Sequence, residues 1–334
     1  MEVKIRSFME IMQEKEKYRP ENFARFVSPE RAKLLVGAVA KRIDPRIQDE
    51  IGFFAISKGN KVLGEVGVAL PRMTSTAGMF EVGDVGGAIC LYVDYQHRRR
   101  NIGTKLMQRA MDYFREKGTQ FSFAITREEF EGIADILPRK LGYVKVFNYP
   151  HYYRIPRGGD AALSDTEFFW KTGDPTALWK VYYALKEDCL GFIERPENFV
   201  EIGRLDGLLA NAPFYGDQFL IGKKGSQSVS FANIVQGAGE TRGQVIINEV
   251  HAISEAELNA IAGQIERQNP GKVIAFKPVV DHHLRKVLTE RNYQHYLTGA
   301  FLMMTSLTGP TDKKELNDLF SFHERFEWNA YDDI

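Results

Sequence analysis

Between Val3 and Phe8 apolar and polar residues alternate, the period of a strand with one buried face. A stretch with helical spacing follows. It is interrupted near Arg19-Pro20 and again at Ser28-Pro29, where serine suits a helix cap and proline the first turn. Residues 51–57 and 62–70 are strand-like runs joined by Lys58-Gly59-Asn60-Lys61, a hairpin signal. Glycines crowd residues 78–87, and residues 88–93 then read as a short buried strand. Apolar positions 102, 106, 107, 110, 111 and 114 share one helical face, and Gly118 stops that helix. Residues 121–125 predict a strand, 130–141 a helix and Val144 onward a closing strand, before a linker around Gly158-Gly159.

The second half restarts this order. Asp174-Pro175 opens a helix expected to reach Cys189, and residues 219–222 and 229–235 flank a turn at Lys224-Gly225. A strand at 245–250, a helix at 255–268, a strand at 273–276 and a helix at 282–291 complete the series. The pentapeptide Arg-Pro-Glu-Asn-Phe occurs at residues 19–23 and again at 195–199. The turns at Lys58-Gly59 and Lys224-Gly225 correspond, as do residues 137–143 and 287–293. In the last pair Gly142 or Asn292 precedes a tyrosine, and both residue types tolerate a left-handed helix end. The spacing between matched pairs shortens along the chain, as it would in a diverged tandem duplication with a shorter second copy.

The length of 334 residues fits two domains. Lysine plus arginine equals aspartate plus glutamate at 44 each, so the basic excess of a dedicated nucleic-acid binder is absent. Two cysteines, Cys90 and Cys189, are too few for a disulfide framework or a zinc cage. The N-terminus lacks the apolar core of a signal peptide, and the longest apolar runs fall short of the ~20 residues of a membrane span. The expectation is a cytoplasmic protein with no nucleic acid or membrane as partner and no metal.

The chemistry concentrates between Leu91 and Leu106. A buried strand enters a short loop holding Arg98, Arg99 and Arg100, which opens an amphipathic helix through Asn101, Ile102, Gly103 and Thr104. Free main-chain N–H groups and the positive dipole end gather at such a helix start, and three arginines there are unfavourable without an anion. A diphosphate suits the place, and Gly103 lets the main chain approach it.

At these residues the sequence resembles the GNAT superfamily of acyl-CoA-dependent N-acyltransferases, whose signature is Arg/Gln-x-x-Gly-x-Gly/Ala. Arg98-Arg99-Arg100-Asn101-Ile102-Gly103 matches it, with Asn101 in place of the first glycine. The element order extends the resemblance over about residues 1–155. It implies an α+β fold with a mixed sheet, in two tandem GNAT-like domains: a catalytic domain at 1–157, a linker at 158–167, a degenerate domain at 168–309 and a tail at 310–334. It further implies acetyl-CoA or another acyl-CoA as cofactor. The pantetheine arm would lie along Leu91, Tyr92 and Val93, and the pyrophosphate would lie on the N–H groups of residues 99–104, with charge from Arg98 to Arg100.

The acceptor implied is a small-molecule or peptide amine that attacks the thioester directly. Glu81 and Asp84 are the local candidates for a general base, although a solvated turn is the other reading of their glycine-rich loop. Pro138 stands where many family members carry a proton-donating tyrosine, and Glu131 replaces the asparagine that often precedes this helix. Tyr92 and Tyr152 are the nearby alternatives as donor. An acyl-CoA-binding sensor without turnover is therefore the competing reading, and an aminoacyl-tRNA-dependent transferase of the tandem type a third. In the second half Ser254 and Glu257 form a capping box where the arginine loop would be, so that half is expected not to bind CoA. Adjacent His282 and His283 point about 100° apart on a helix, which argues against a metal there.

Overall fold

The computed structural model describes residues 2–14, 49–75, 78–79, 85–127, 131–156, 164–171, 179–186, 189–190, 219–237, 242–276 and 281–322. The strands are β1 (Val3–Ser7), β2 (Gly52–Ser57), β3 (Val62–Ala69), β4 (Thr74–Ser75), β5 (Gly78–Met79), β6 (Val85–Val93) and β7 (Phe121–Arg127). They continue as β8 (Val144–Arg154), β9 (Glu167–Lys171), β10 (Phe219–Lys224), β11 (Gln227–Gln236), β12 (Gln244–Ala252), β13 (Val273–Phe276) and β14 (Gln294–Ser306). The helices are α1 (Phe8–Gln13), α2 (Ile102–Glu116), α3 (Glu131–Leu141), α4 (Trp179–Tyr183), α5 (Glu255–Gln268), α6 (His282–Glu290) and α7 (Lys313–Phe320). The chain forms two compact units, one of Met1–Phe147 with Gly299–Leu319, the other of Asn148–Thr298 with Phe320–Asp333.

In the first unit the sheet order is β1-β2-β3-β6-β7-β14. Only β6 and β7 run parallel; the other pairs are antiparallel. The apolar face of α2 explains its docking on this sheet: Leu106, Ala110 and Phe114 are fully buried, in one core with Leu63, Val66, Ala124 and Leu137. The leucine, valine and phenylalanine side chains among them each contribute about 1.5–3 kcal/mol. Gly118, at φ 77°, ends the helix as expected.

β6 begins at Val85, three residues before the sequence predicts, because Gly86 and Gly87 belong to the strand and not to the glycine loop. A Cβ on Gly86 would meet the Phe114 ring at 2.6 Å, and one on Gly87 the Phe123 ring at 2.7 Å. The two glycines let aromatic rings approach the strand closely, one on each face.

In the second unit the order is β8-β13-β12-β11-β10-β9, again with one parallel pair, β12 and β13. Helix α5 buries Leu258, Ile261 and Ile265 against Val245, Ile247, Ile274 and Phe276. Hairpin, strand, helix, parallel strand, helix and closing antiparallel strand recur in the order of the first unit. Gly142 (φ 73°) and Asn292 (φ 60°) both adopt the left-handed helix end the sequence predicts. The following Tyr143 and Tyr293 are buried, and their N–H groups return to Leu137 O at 3.1 Å and Leu288 O at 2.9 Å.

Each sheet is closed by a strand from the other half of the sequence. β14 pairs with β7 from Ala300↔Arg127 to Ser306↔Phe121, while β8 pairs with β13 from Ile274↔Arg154 to Phe276↔Tyr152. Strand β9, strand β14 and helix α7 are elements the sequence reading does not find. The helix expected from Asp174 to Cys189 is described only as Trp179–Tyr183, with residues 172–178 outside the described part. Both copies of the repeated pentapeptide also lie outside the described residues.

Candidate active site

Strands β6 and β7 pair from Val85↔Phe121 to Ala88↔Ala124 and no further. Beyond that point β6 stays on β3, through Glu65↔Tyr92 and Gly64↔Val93, while β7 stays on β14. The two strands therefore open into a fork. A register shift between Glu65 and Gly67 places one extra residue on β6, a bulge that turns Leu91 to Val93 away from β7. Gly64 permits it, since a Cβ there would stand 2.6 Å from Tyr92 O. Leu91 and Val93 pack their side chains against the α2 core, and the side of their main chain that faces β7 is left open for another extended chain.

At the head of the fork the buried Asp94 turns the chain, accepting Gln96 N–H at 2.9 Å. That hydrogen bond, helped by His97 at 3.5 Å, holds the Asp94 carboxyl below its ordinary range. Arg98 donates from Nε to Val93 O at 3.1 Å, and its guanidinium lies 5.9 Å from the Tyr92 ring and 5.5 Å from that of Tyr95. It braces the turn. Arg99 and Arg100 are exposed, with no ion pair among the described residues. Arg99 (φ 61°) and Asn101 (φ 62°) are both left-handed, a conformation that costs about 1–2 kcal/mol per residue outside glycine and asparagine. The asparagine takes the left-handed backbone that a glycine in its place would allow. The strained arginine is new.

Asn101 is the N-cap of α2, and its side chain caps no N–H of the helix. Its Oδ1 instead accepts from Lys140 Nζ at 3.3 Å, which brings a further cation from α3. Thr104 Oγ1 is buried without a hydrogen-bond partner among the described residues. A Cβ on Gly103 would meet only ordinary contacts, Val93 Cγ2 at 3.6 Å and Ile136 Cδ1 at 3.7 Å. No neighbouring side chain requires glycine there. Unused N–H groups, an unpaired hydroxyl and free cations together fit a polyanionic group such as a diphosphate.

The family model described as Acetyltransferase (GNAT) family matches residues 11–143, the stretch that holds the fork and this loop. Solved structures agree in fold. A probable N-acyltransferase from Enterococcus faecalis, described as a conserved protein of unknown function, is 11% identical with a TM-score of 0.63. The likeness covers 92% of this chain and 73% of that one. A GCN5-related N-acetyltransferase from Kribbella flavida is 14% identical with a TM-score of 0.62, over 92% and 72%. Eis1 from Mycobacterium abscessus is 15% identical with a TM-score of 0.57, over 92% and 74%. No curated protein sequence matches the chain. The fold is thus the mixed α/β fold of GNAT structures.

The candidate acid–base groups named from the sequence are not brought together among the described residues. Glu81 and Asp84 lie outside the described residues, as does the Cys90 side chain. Pro138 is an exposed residue inside α3. Tyr92 is 39% exposed, on the sheet face away from α2, and shares that face with Glu65, its cross-strand partner. Glu65 is a half-buried carboxylate beside the fork that the sequence reading passes over, because it sits in an ordinary alternating strand. Tyr152 belongs to the second unit, stacked on His295 at 5.3 Å. Tyr143 is buried at the closed end, 2.7 Å from Ser122 Oγ, and burial raises its phenol above the ordinary range. Among the described residues no metal-binding group of His, Cys, Asp and Glu occurs, and no helix is long and apolar enough to cross a membrane.

Proposed function

We propose that the first unit is an N-acyltransferase that moves an acetyl group from acetyl-CoA to an amine of a small molecule or peptide. The supporting observation is the fork between β6 and β7 leading into an uncapped, cation-rich helix start. The main chain of Leu91 and Val93 holds the extended arm as an added strand. The N–H groups of residues 99–104, with Arg99 and Arg100, hold the pyrophosphate, and Arg98 fixes the turn between them. These contacts fix the thioester beside the bulge, where position and a main-chain donor serve direct attack by the amine. The bound group supplies the activated acyl carbon. Among the described residues the second unit has no such loop, and it takes no part in CoA binding.

Calorimetric titration with acetyl-CoA tests this. About one site per chain is expected for the wild type, with affinity reduced at least ~30-fold in Arg99→Glu, by charge reversal beside a polyanion. Absence of wild-type binding, or an unchanged affinity in the folded variant, overturns the assignment. Pro138 favours one other reading, an acyl-CoA sensor; binding without thiol release across a broad amine panel would select it.

A further inference from the structure

We infer that the hydroxyl of Thr126 donates a hydrogen bond to the thioester sulfur, a role that rests on the acyltransferase reading above. Thr126 lies on β7 two residues past Ala124, the last residue paired with β6, and so on the inner wall of the fork. It is 3% exposed, yet Oγ1 has no hydrogen-bond partner among the described residues. Its face is fixed twice. Ala124, two residues earlier, and Phe301, its cross-strand partner on β14, both belong to the core under α2 and α3. The α3 residues packed on that core, Ile133, Ile136 and Leu137, are aliphatic and offer the hydroxyl nothing.

A buried hydroxyl without a partner costs free energy, and valine would fill the same volume with better strand propensity and no polar atom. The hydroxyl is explained by a polar atom that reaches it when the fork is filled. Strand register sets the height: Ala88 stands opposite Ala124, so Thr126 stands level with the bulge, where the arm would present its sulfur.

Acyl transfer forms a C–N bond to the acceptor and breaks the C–S bond, leaving the electron pair on sulfur. Thr126 donates its O–H to that sulfur and keeps its proton, while the proton shed by the amine nitrogen passes to water. A thiol has an ordinary pKa of about 8.5, so stabilising the thiolate by a hydrogen bond is enough and a strong acid is not required.

The test uses the full chain and free CoA, whose thiolate absorbs in the ultraviolet. Thr126→Val is expected to keep acetyl-CoA affinity within about two-fold of wild type, because the phosphate contacts are untouched. The bound CoA thiol should titrate about one pH unit higher than in wild type, and Thr126→Ser should restore it. Should the valine variant fail to fold, Thr126→Ala carries the same comparison. An unchanged thiol titration in a variant that binds CoA overturns this role and leaves the acyltransferase reading standing. Failure of the wild type to bind acetyl-CoA removes both.

Discussion

Helices α2 and α5 begin in the same way, each leaving the end of the strand before a parallel crossover, and they solve the same electrostatic problem in opposite ways. At α2 the N-cap Asn101 is left-handed and caps nothing; at α5 the N-cap Ser254 is extended, and its hydroxyl accepts Glu257 N–H at 3.3 Å. Three residues on, Thr104 has an unpaired buried hydroxyl, whereas Glu257 is buried and fully engaged. Its carboxylate accepts Thr166 Oγ1 at 2.7 Å and pairs with Lys224 at 2.9 Å. Arginines precede α2, and glutamates fill the first turn of α5. The free N–H groups and positive dipole end attract negative charge in both places. In the second unit a covalently attached carboxylate supplies it; in the first, nothing in the described chain does. The proposed anion site is thus marked by what a sister element needed in order to close it.

The strongest way to break the contrast is to transplant the closure. Thr104→Glu puts into α2 the carboxylate that α5 carries at the same position. The expected result is a fold as stable as wild type or slightly more so, since an acidic residue in the first turn adds about 0.3–1 kcal/mol. Acetyl-CoA affinity should fall about 100-fold, equal to about 2.7 kcal/mol, because the carboxylate occupies and repels the phosphate site. Calorimetry alongside urea denaturation separates the two effects, and retained affinity would show that the first turn of α2 is not where the anion lies. The reverse change sharpens the same point with a smaller effect. Glu257→Thr leaves the buried Thr166 hydroxyl without its acceptor, a loss of about 1–3 kcal/mol in denaturant unfolding. It should create no CoA binding, because no arginine loop precedes α5.

Much of this contrast is legible in the sequence, because it depends on local chemistry. Ser254 with Glu257, three arginines before a helix, and an asparagine where a left-handed residue is needed are all short-range signals. Most elements of both units follow from periodicity for the same reason. What escapes is non-local. A strand pattern does not name its partner, so the closure of each sheet by a strand from the other half cannot be read from residues 144–154 or 294–306. Gly86 and Gly87 resemble loop glycines until the rings of Phe114 and Phe123 are seen lying on them. Thr126 and Glu65 look like ordinary strand residues; register and burial distinguish them. The left-handed Arg99 contradicts its own residue preference, so only the structure reveals it.

Acid pH probes the comparison most gently. Both helix starts keep a carboxylate below its ordinary range. Asp94 does so through the Gln96 N–H, in the turn ahead of the arginines; Glu255 does so through Lys286 and then His283, within the first turn of α5. A carboxyl whose pKa is depressed on folding adds stability that is fully present above its unfolded value, near 3.9 for aspartate. That stability is lost as the pH falls through the lower folded value. Asp94→Asn keeps an oxygen able to accept the Gln96 N–H but cannot titrate. On going from pH 5 to pH 3 the wild type should therefore lose about 1–2 °C more in Tm than the variant. Equal losses would mean that Asp94 does not hold the turn electrostatically. Because its carboxylate stands outside α2, it orders the loop without neutralising the helix start, and the positive end stays available to a ligand.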